Sequence, residues 1–288
     1  EIKDLVGTVL EETGSFKKIN VTLITKVSDE STITKPVTIQ QNQSVQGIKH
    51  VIAVASGKGG VGKSTIAANI AAILSEKSLK VGLLDLDIYG PSLPIILGLS
   101  EQPKVTSERK LIPLEFRGMK VMSFGFLSDD DSPAIWRGPL VARMTEQFFK
   151  DVIWGELDYL VLDLPPGTGD VQLTLTQKIK ISGAIIVTTP QDIALADVRK
   201  GANMFQKVNA PILGVIENMS GFQIEGKIID NKGNPFSGGT VQISEAEEIV
   251  VNEKGEFNLI IDLFKTGGGE KESERLGVPL LGIIPISQ

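Results

Sequence analysis

The chain has 288 residues, 41% hydrophobic and 22% charged, with a net charge of -6, which is the profile of a globular protein. Its acidic balance leaves no basic footprint for nucleic acid, and no apolar run approaches the roughly 20 residues that span a bilayer. Neither nucleic acid nor membrane is therefore an expected partner, and the cytoplasm is the expected location. With no cysteine and a single histidine, His50, the chain offers no disulfide, thiolate ligand, cysteine nucleophile or Ser-His-Asp triad. His50 itself reads as a strand-entry residue.

In chain order, residues 1–30 read as a short helix (Ile2, Leu5, Val6, Val9 and Leu10 on one face), a turn at Gly14 and a strand over 19–24. That is too little to hold a core of its own. Residues 31–47, rich in Ser, Thr and Gln, read as a linker. From 48 to the end the pattern repeats apolar strand, glycine turn and amphipathic helix. Strands are expected at 51–55, 81–85, 119–124, 159–163, 184–188, 212–216 and 280–284, and helices at 63–77, 139–150, 171–181, 192–207 and 268–276. Several strands are continuously apolar, as in Val51-Ile52-Ala53-Val54-Ala55, which fits strands covered on both faces. The fold class is α/β, a doubly wound, mainly parallel sheet with flanking helices. Within it, 223–263 carries two turn signals, at 230–235 and 252–256, between β-branched runs. This stretch is expected to form a β-hairpin insertion standing off the sheet.

Gly57-Lys58-Gly59-Gly60-Val61-Gly62-Lys63-Ser64 fits G-x-x-x-x-G-K-S/T between a buried strand and an alanine-rich helix. Glycines let successive backbone N–H groups turn onto phosphate oxygens, and the helix N-terminus adds partial positive charge. On this pattern Lys63 contacts the β- and γ-phosphates of a nucleotide, Ser64 ligates Mg²⁺, and Thr65 faces the α-phosphate. Such a site also needs carboxylates. Asp85 and Asp87 lie at the end of the second strand, where ligands bind in open α/β sheets, and alternation places them on one face. Asp87 is expected to orient the attacking water and Asp85 to support the metal. Asp163, at the end of Tyr159-Leu160-Val161-Leu162-Asp163, has the form of a Walker B metal carboxylate. A guanine-reading N-K-x-D is missing, which favours ATP.

Together with Asp85-Leu86-Asp87-Ile88-Tyr89-Gly90-Pro91-Ser92, Trp136-Arg137-Gly138-Pro139, 163–170, 214–220 and Gly267-Gly268-Gly269-Glu270, the loop resembles the Mrp/ApbC branch of the MinD-like P-loop ATPases, known as iron–sulfur cluster carriers. The resemblance covers roughly 48–222 and 265–286. It implies a MinD-like fold, ATP hydrolysis and a nucleotide-bridged homodimer that works with iron–sulfur assembly or recipient proteins. Lys58 matches the family lysine that reaches the partner subunit's nucleotide, Asn218 the asparagine that contacts adenine, and Pro285 the segment beside the base. Arg137 is either a dimer-interface residue or a plain surface arginine, and Trp136 packs a loop. The family's C-x-x-C pair, which holds a 4Fe–4S cluster, has no counterpart here: Phe222 leads into the insertion instead. Two other functions stay open, a spatial-positioning ATPase like MinD or ParA and a scaffold binding partners through the insertion.

Overall fold

Short runs of aliphatic and β-branched residues bury both faces of a central sheet, and alanine-rich or amphipathic helices cover it. The computed structural model describes residues 44–287 apart from Tyr89, 128–137, 168–169, Ser237, 243–247 and 264–266. The expected helix and strand of 1–30, most of the linker, and Trp136 and Arg137 lie outside the described residues.

The elements follow as β1 (Ile48–Ala55), α1 (Lys63–Glu76), β2 (Val81–Asp85), α2 (Leu93–Leu97), β3 (Lys104–Val105), β4 (Leu111–Ile112), β5 (Leu114–Phe116) and β6 (Met119–Ser123). After these come α3 (Gly138–Asp151), β7 (Leu157–Asp163), α4 (Asp170–Lys178), β8 (Gly183–Thr188), α5 (Asp192–Lys207) and β9 (Ile212–Lys227). The chain ends with β10 (Gly239–Gln242), β11 (Glu248–Val251), β12 (Glu256–Ile261), α6 (Gly268–Leu276) and β13 (Leu280–Ser287). One sheet runs β10-β11-β12-β9-β8-β1-β7-β2-β6-β5, with β13 also on β9. Strands β6, β2, β7, β1, β8, β9 and β13 pair in parallel. Between β7 and β8, β1 occupies the centre, so the loop that leaves it opens at the crevice where open α/β sheets bind ligands.

The core lies on both sides of these strands. Leu83, Leu84, Leu160 and Val161 are fully buried. On α1, Ile66 faces inward together with Ala67, Ala68 and Ala71, and the three alanines are small enough to let the helix lie close to the sheet. The sequence pattern did not show α2 or the strands between 104 and 116. α2 spans only five residues, closed by Gly98 at φ 65°. Strands β5 and β6 are joined by Arg117 and Gly118, both at positive φ, as a two-residue hairpin turn requires.

The insertion corrects the expectation of a hairpin standing off the sheet. β9 continues to Lys227, and β12 pairs antiparallel with 222–227, extending the same sheet through β11 and β10. The reason is backbone hydrogen bonding: the prolonged β9 has N–H and C=O groups to satisfy, and the alternating Phe257, Leu259 and Ile261 supply a matching strand. The turns fall at the two sequence signals. Asp230 Oδ1 accepts from the amides of Lys232 and Asn234, and Asn252 Oδ1 from those of Lys254 and Glu256.

Behind the sheet, the buried Glu217 of β9 accepts hydrogen bonds from the Gly269 amide in the first turn of α6 and, at 2.6 Å, from the Ser220 hydroxyl. Both the helix dipole and the unpaired N–H groups of a first turn favour a carboxylate there. A Cβ at position 269 would stand 2.8 Å from Glu217 Cβ and 2.9 Å from Oε2. Helix propensity alone makes Gly→Ala stabilising by about 0.5–1 kcal/mol. We expect Gly269→Ala instead to destabilise by about 1–3 kcal/mol through overpacking, read as a lowered urea midpoint; a raised midpoint would show that the clamp is loose.

Candidate functional site

The loop between β1 and α1 turns through Gly60 and Gly62, at φ 78° and 80°. Gly62 has a second constraint, since a Cβ there would lie 2.3 Å from Asn218 Nδ2. Asn218 donates to the Val61 carbonyl at 2.8 Å, and the Ser56 hydroxyl donates to the Lys58 carbonyl at 2.8 Å. The loop is thus braced from behind by β9 and from within by its own first residue. No acidic side chain occupies the first turn of α1, leaving the positive end of that helix to an external anion.

Gly59, Gly60, Gly62, Lys63, Ser64, Thr65 and Asp87 line one cleft of about 280 Å³, with Ser56, Gly90, Ser92, Ile96 and Pro166. A larger hollow of about 640 Å³ sits at the opposite end of the strands, around Val45, Phe149 and Trp154, and holds none of these groups. At the floor of the cleft, Lys63 Nζ makes an ion pair with Asp163 Oδ1; the lysine is 6% exposed and the aspartate fully buried. The ammonium also lies 3.3 Å from the Ser64 hydroxyl. Among the described residues, Asp163 Oδ2 is buried without a hydrogen-bond partner. Burial pushes the Asp163 carboxyl above its ordinary range, opposed by Lys63 and Ser64. A buried carboxylate oxygen with an open lone pair, beside a serine hydroxyl and a lysine, suits a hard cation such as Mg²⁺ carried on a phosphate.

The two aspartates after β2 do not share a role. β2 ends at Asp85, so strand alternation stops there and the face argument fails beyond it. Asp87 lines the cleft. Asp85 points into the turn: Oδ1 accepts from the Asp87 amide at 3.0 Å, and Oδ2 from the Ser123 hydroxyl at 2.9 Å and the Leu93 amide at 3.4 Å. With both oxygens so engaged, Asp85 is tied to the Asp87 amide and is not among the residues lining the cleft. Burial, reinforced by the charge of Asp163, pushes Asp85 up to about 7 against those hydrogen bonds.

Asn218, which the resemblance places at adenine, gives an amide N–H to the loop. Pro285 lies at an irregularity of β13 between Ile284 and Ile286 and is not among the residues lining the cleft. Lys58 Nζ donates to Gln191 Oε1 at 2.9 Å, within its own chain. Sequence reasoning passed over Gln191 and Glu217. Glu217 stood in a strand otherwise apolar and Gly269 in a triple glycine, but their partnership spans 52 positions, which no local pattern reveals.

The Asp85 carboxyl carries a pH signature. Its folded value of about 7 lies above the ordinary 3.8, so the native state binds the extra proton between those values and stability falls as pH rises through that window. Asp85→Asn should remove this slope, about 1.4 kcal/mol per pH unit, from urea unfolding profiles between pH 4.5 and 7. Parallel profiles for wild type and variant would contradict it.

The chain is similar to known proteins of one family. The model of the NUBPL iron-transfer P-loop NTPases, within ParA, matches residues 47–259. An iron-sulfur cluster carrier protein of Pseudomonas fragi is 45% identical over 249 residues, 86% of this chain and 76% of its own. One from Aquifex aeolicus is 56% identical over 182 residues, 62% of this chain and 50% of its own. An Arabidopsis thaliana iron-sulfur protein required for NADH dehydrogenase, mitochondrial, is 54% identical over 179 residues, 62% and 57%. The chain thus spans half to three quarters of the length of these relatives. Among solved structures, a nucleotide-binding protein of Archaeoglobus fulgidus in complex with ADP superposes with a TM-score of 0.64 at 36% identity, covering 84% of each chain. The cell division ATPase MinD of Pyrococcus furiosus, at 21% identity and a TM-score of 0.51 over 82% of this chain and 83% of its own, shares the fold. With a glycine loop, a buried Lys–Asp pair and a cleft-facing aspartate on a MinD-like sheet, the chain belongs to the NUBPL-type iron-transfer P-loop NTPases.

Proposed function

We propose that the protein is a Mg²⁺-dependent, ATP-hydrolysing dimeric switch of the iron–sulfur cluster carrier family. The observation that carries this reading is the Lys63–Asp163 pair, buried under a loop shaped for phosphate with one carboxylate oxygen open. Bound triphosphate competes for Lys63: the ammonium moves from Asp163 to the β- and γ-phosphates, and the freed carboxylate becomes available beside Ser64. Those two residues would hold Mg²⁺, which supplies neutralisation of charge on the phosphate oxygens.

Asp87, held by Asp85, then orients a water for attack on the γ-phosphorus and accepts its proton as the bond to the ADP oxygen breaks. Lys58 of a second copy stabilises the charge on the transferred group, as an arginine finger does. Support for a shared site comes from the rim of the cleft. Ile95 and Ile96 of α2 are exposed, and Ile96 lines the cleft; apolar side chains at such a rim suit burial by a partner. Adenine is favoured by the missing N-K-x-D.

The carrier reading is preferred to spatial positioning on the family match and the relatives' names. Its cargo would be an iron–sulfur cluster passed between assembly and recipient proteins. Cluster iron is held mainly by thiolates, and these 288 residues contain none, so the cluster's ligands would come from outside them. No described helix is long and apolar enough to cross a membrane, and we place the switch in the cytoplasm.

Lys58→Ala should bind ATP with little change and lose roughly 10³-fold or more in hydrolysis. Asp87→Asn should also bind ATP and hydrolyse it roughly 10²-fold more slowly. Nucleotide titration and phosphate release under steady-state conditions read both; wild-type turnover in either variant removes that residue from the mechanism.

A further inference from the structure

Lys58 does not hang in solvent. Ser56 fixes its carbonyl, and its ammonium reaches Gln191 Oε1 at 2.9 Å. The topology makes the contact possible: β1 and β8 are neighbours, with Ala55 paired to Ile186. The loop leaving β1 therefore emerges beside the turn leaving β8, where Gln191 stands three residues past Thr188. Gln191 is the N-cap residue of α5, yet its side chain makes no capping hydrogen bond. Its oxygen is spent on the lysine instead. The N-terminal end of a helix carries partial positive charge, and among the described residues the Gln191 amide oxygen is the hydrogen-bond partner of the lysine. An attachment of that kind is specific in geometry and easily released.

We propose that Gln191 is a positioning residue that keeps Lys58 docked on its own subunit until ATP-driven pairing draws the lysine across to the partner's nucleotide. This rests on the reading of Lys58 as a residue acting across a dimer. Docked and crossing positions exclude one another, so the docked fraction weakens pairing. Because each dimer must release two lysines, the effect enters the dimerisation constant twice.

The test is sedimentation of the full chain with Mg²⁺ and a non-hydrolysable ATP analogue. Gln191→Ala should tighten dimerisation by roughly four- to tenfold. Gln191→Glu, which turns the contact into an ion pair, should weaken it, more so at low salt. Neither should alter the affinity of the dilute monomer for a fluorescent ATP analogue, a readout that misfolding would move. In a Lys58→Ala background both substitutions should be silent, because they act through that lysine. The proposal is overturned if Ala and Glu shift dimerisation in the same direction, if neither shifts it, or if the shifts persist without Lys58. If wild type does not pair with nucleotide, or Lys58→Ala hydrolyses ATP normally, the dimer reading itself fails and takes this one with it. A silent Gln191 beside an intact dimer and an essential Lys58 defeats the docking role alone.

Discussion

Two opposite charges taken out of water at the floor of the cleft, Lys63 and Asp163, set the terms for everything around them. Each ion costs several kcal/mol to desolvate, and removing one partner of such a pair typically costs about 3–5 kcal/mol because the other is stranded. The pair ties the first residue of α1 to the last of β7. Backbone bonds complete the junction: Asp163 accepts at its carbonyl from the Leu86 amide, and Leu164 donates to the Val54 carbonyl. Asp163 in turn raises Asp85, and Asp85 orders the turn that presents Asp87. The glycine loop, Asp163 and the turn that carries Asp87 are therefore one electrostatic unit. A triphosphate that attracts Lys63 acts on all three at once.

The parallel strands were legible because burial on both faces leaves continuous apolar runs, such as Ala184–Val187, that few other structures need. The loop was legible because its chemistry demands particular residues at particular spacings. What failed did so where the deciding partner is distant in sequence. Nothing within 223–227 says that β9 continues, since the strand it pairs with begins at Glu256. That Asp87 lines the cleft while Asp85 bonds within the turn followed only once the end of β2 was known, because alternation holds only while the strand does. The bond from Asn218 to Val61 gave no local signal either, because it depends on β9 passing behind the loop. Gln191 carried no signal at all: a glutamine before a helix is unremarkable until a lysine 133 positions away rests on it.

β9 also places the insertion in a definite relation to the nucleotide site. The same strand braces the loop through Asn218, clamps α6 through Glu217 and, past the positive-φ residues Met219 and Gly221, pairs with β12. In relatives named as cluster carriers, a chain of this family serves iron–sulfur cargo. Here the corresponding stretch is an antiparallel extension of the sheet without a cysteine.

The central claim is that the catalytic unit needs two copies, one giving Lys58 and the other Asp87. Mixing the separately inactive Lys58→Ala and Asp87→Asn chains tests it most directly. Random pairing makes half of the dimers mixed, each with one complete site, and phosphate release should recover to about a quarter of the wild-type rate. If the mixture stays as inactive as its components, both residues act within a single chain and the shared-site account is wrong.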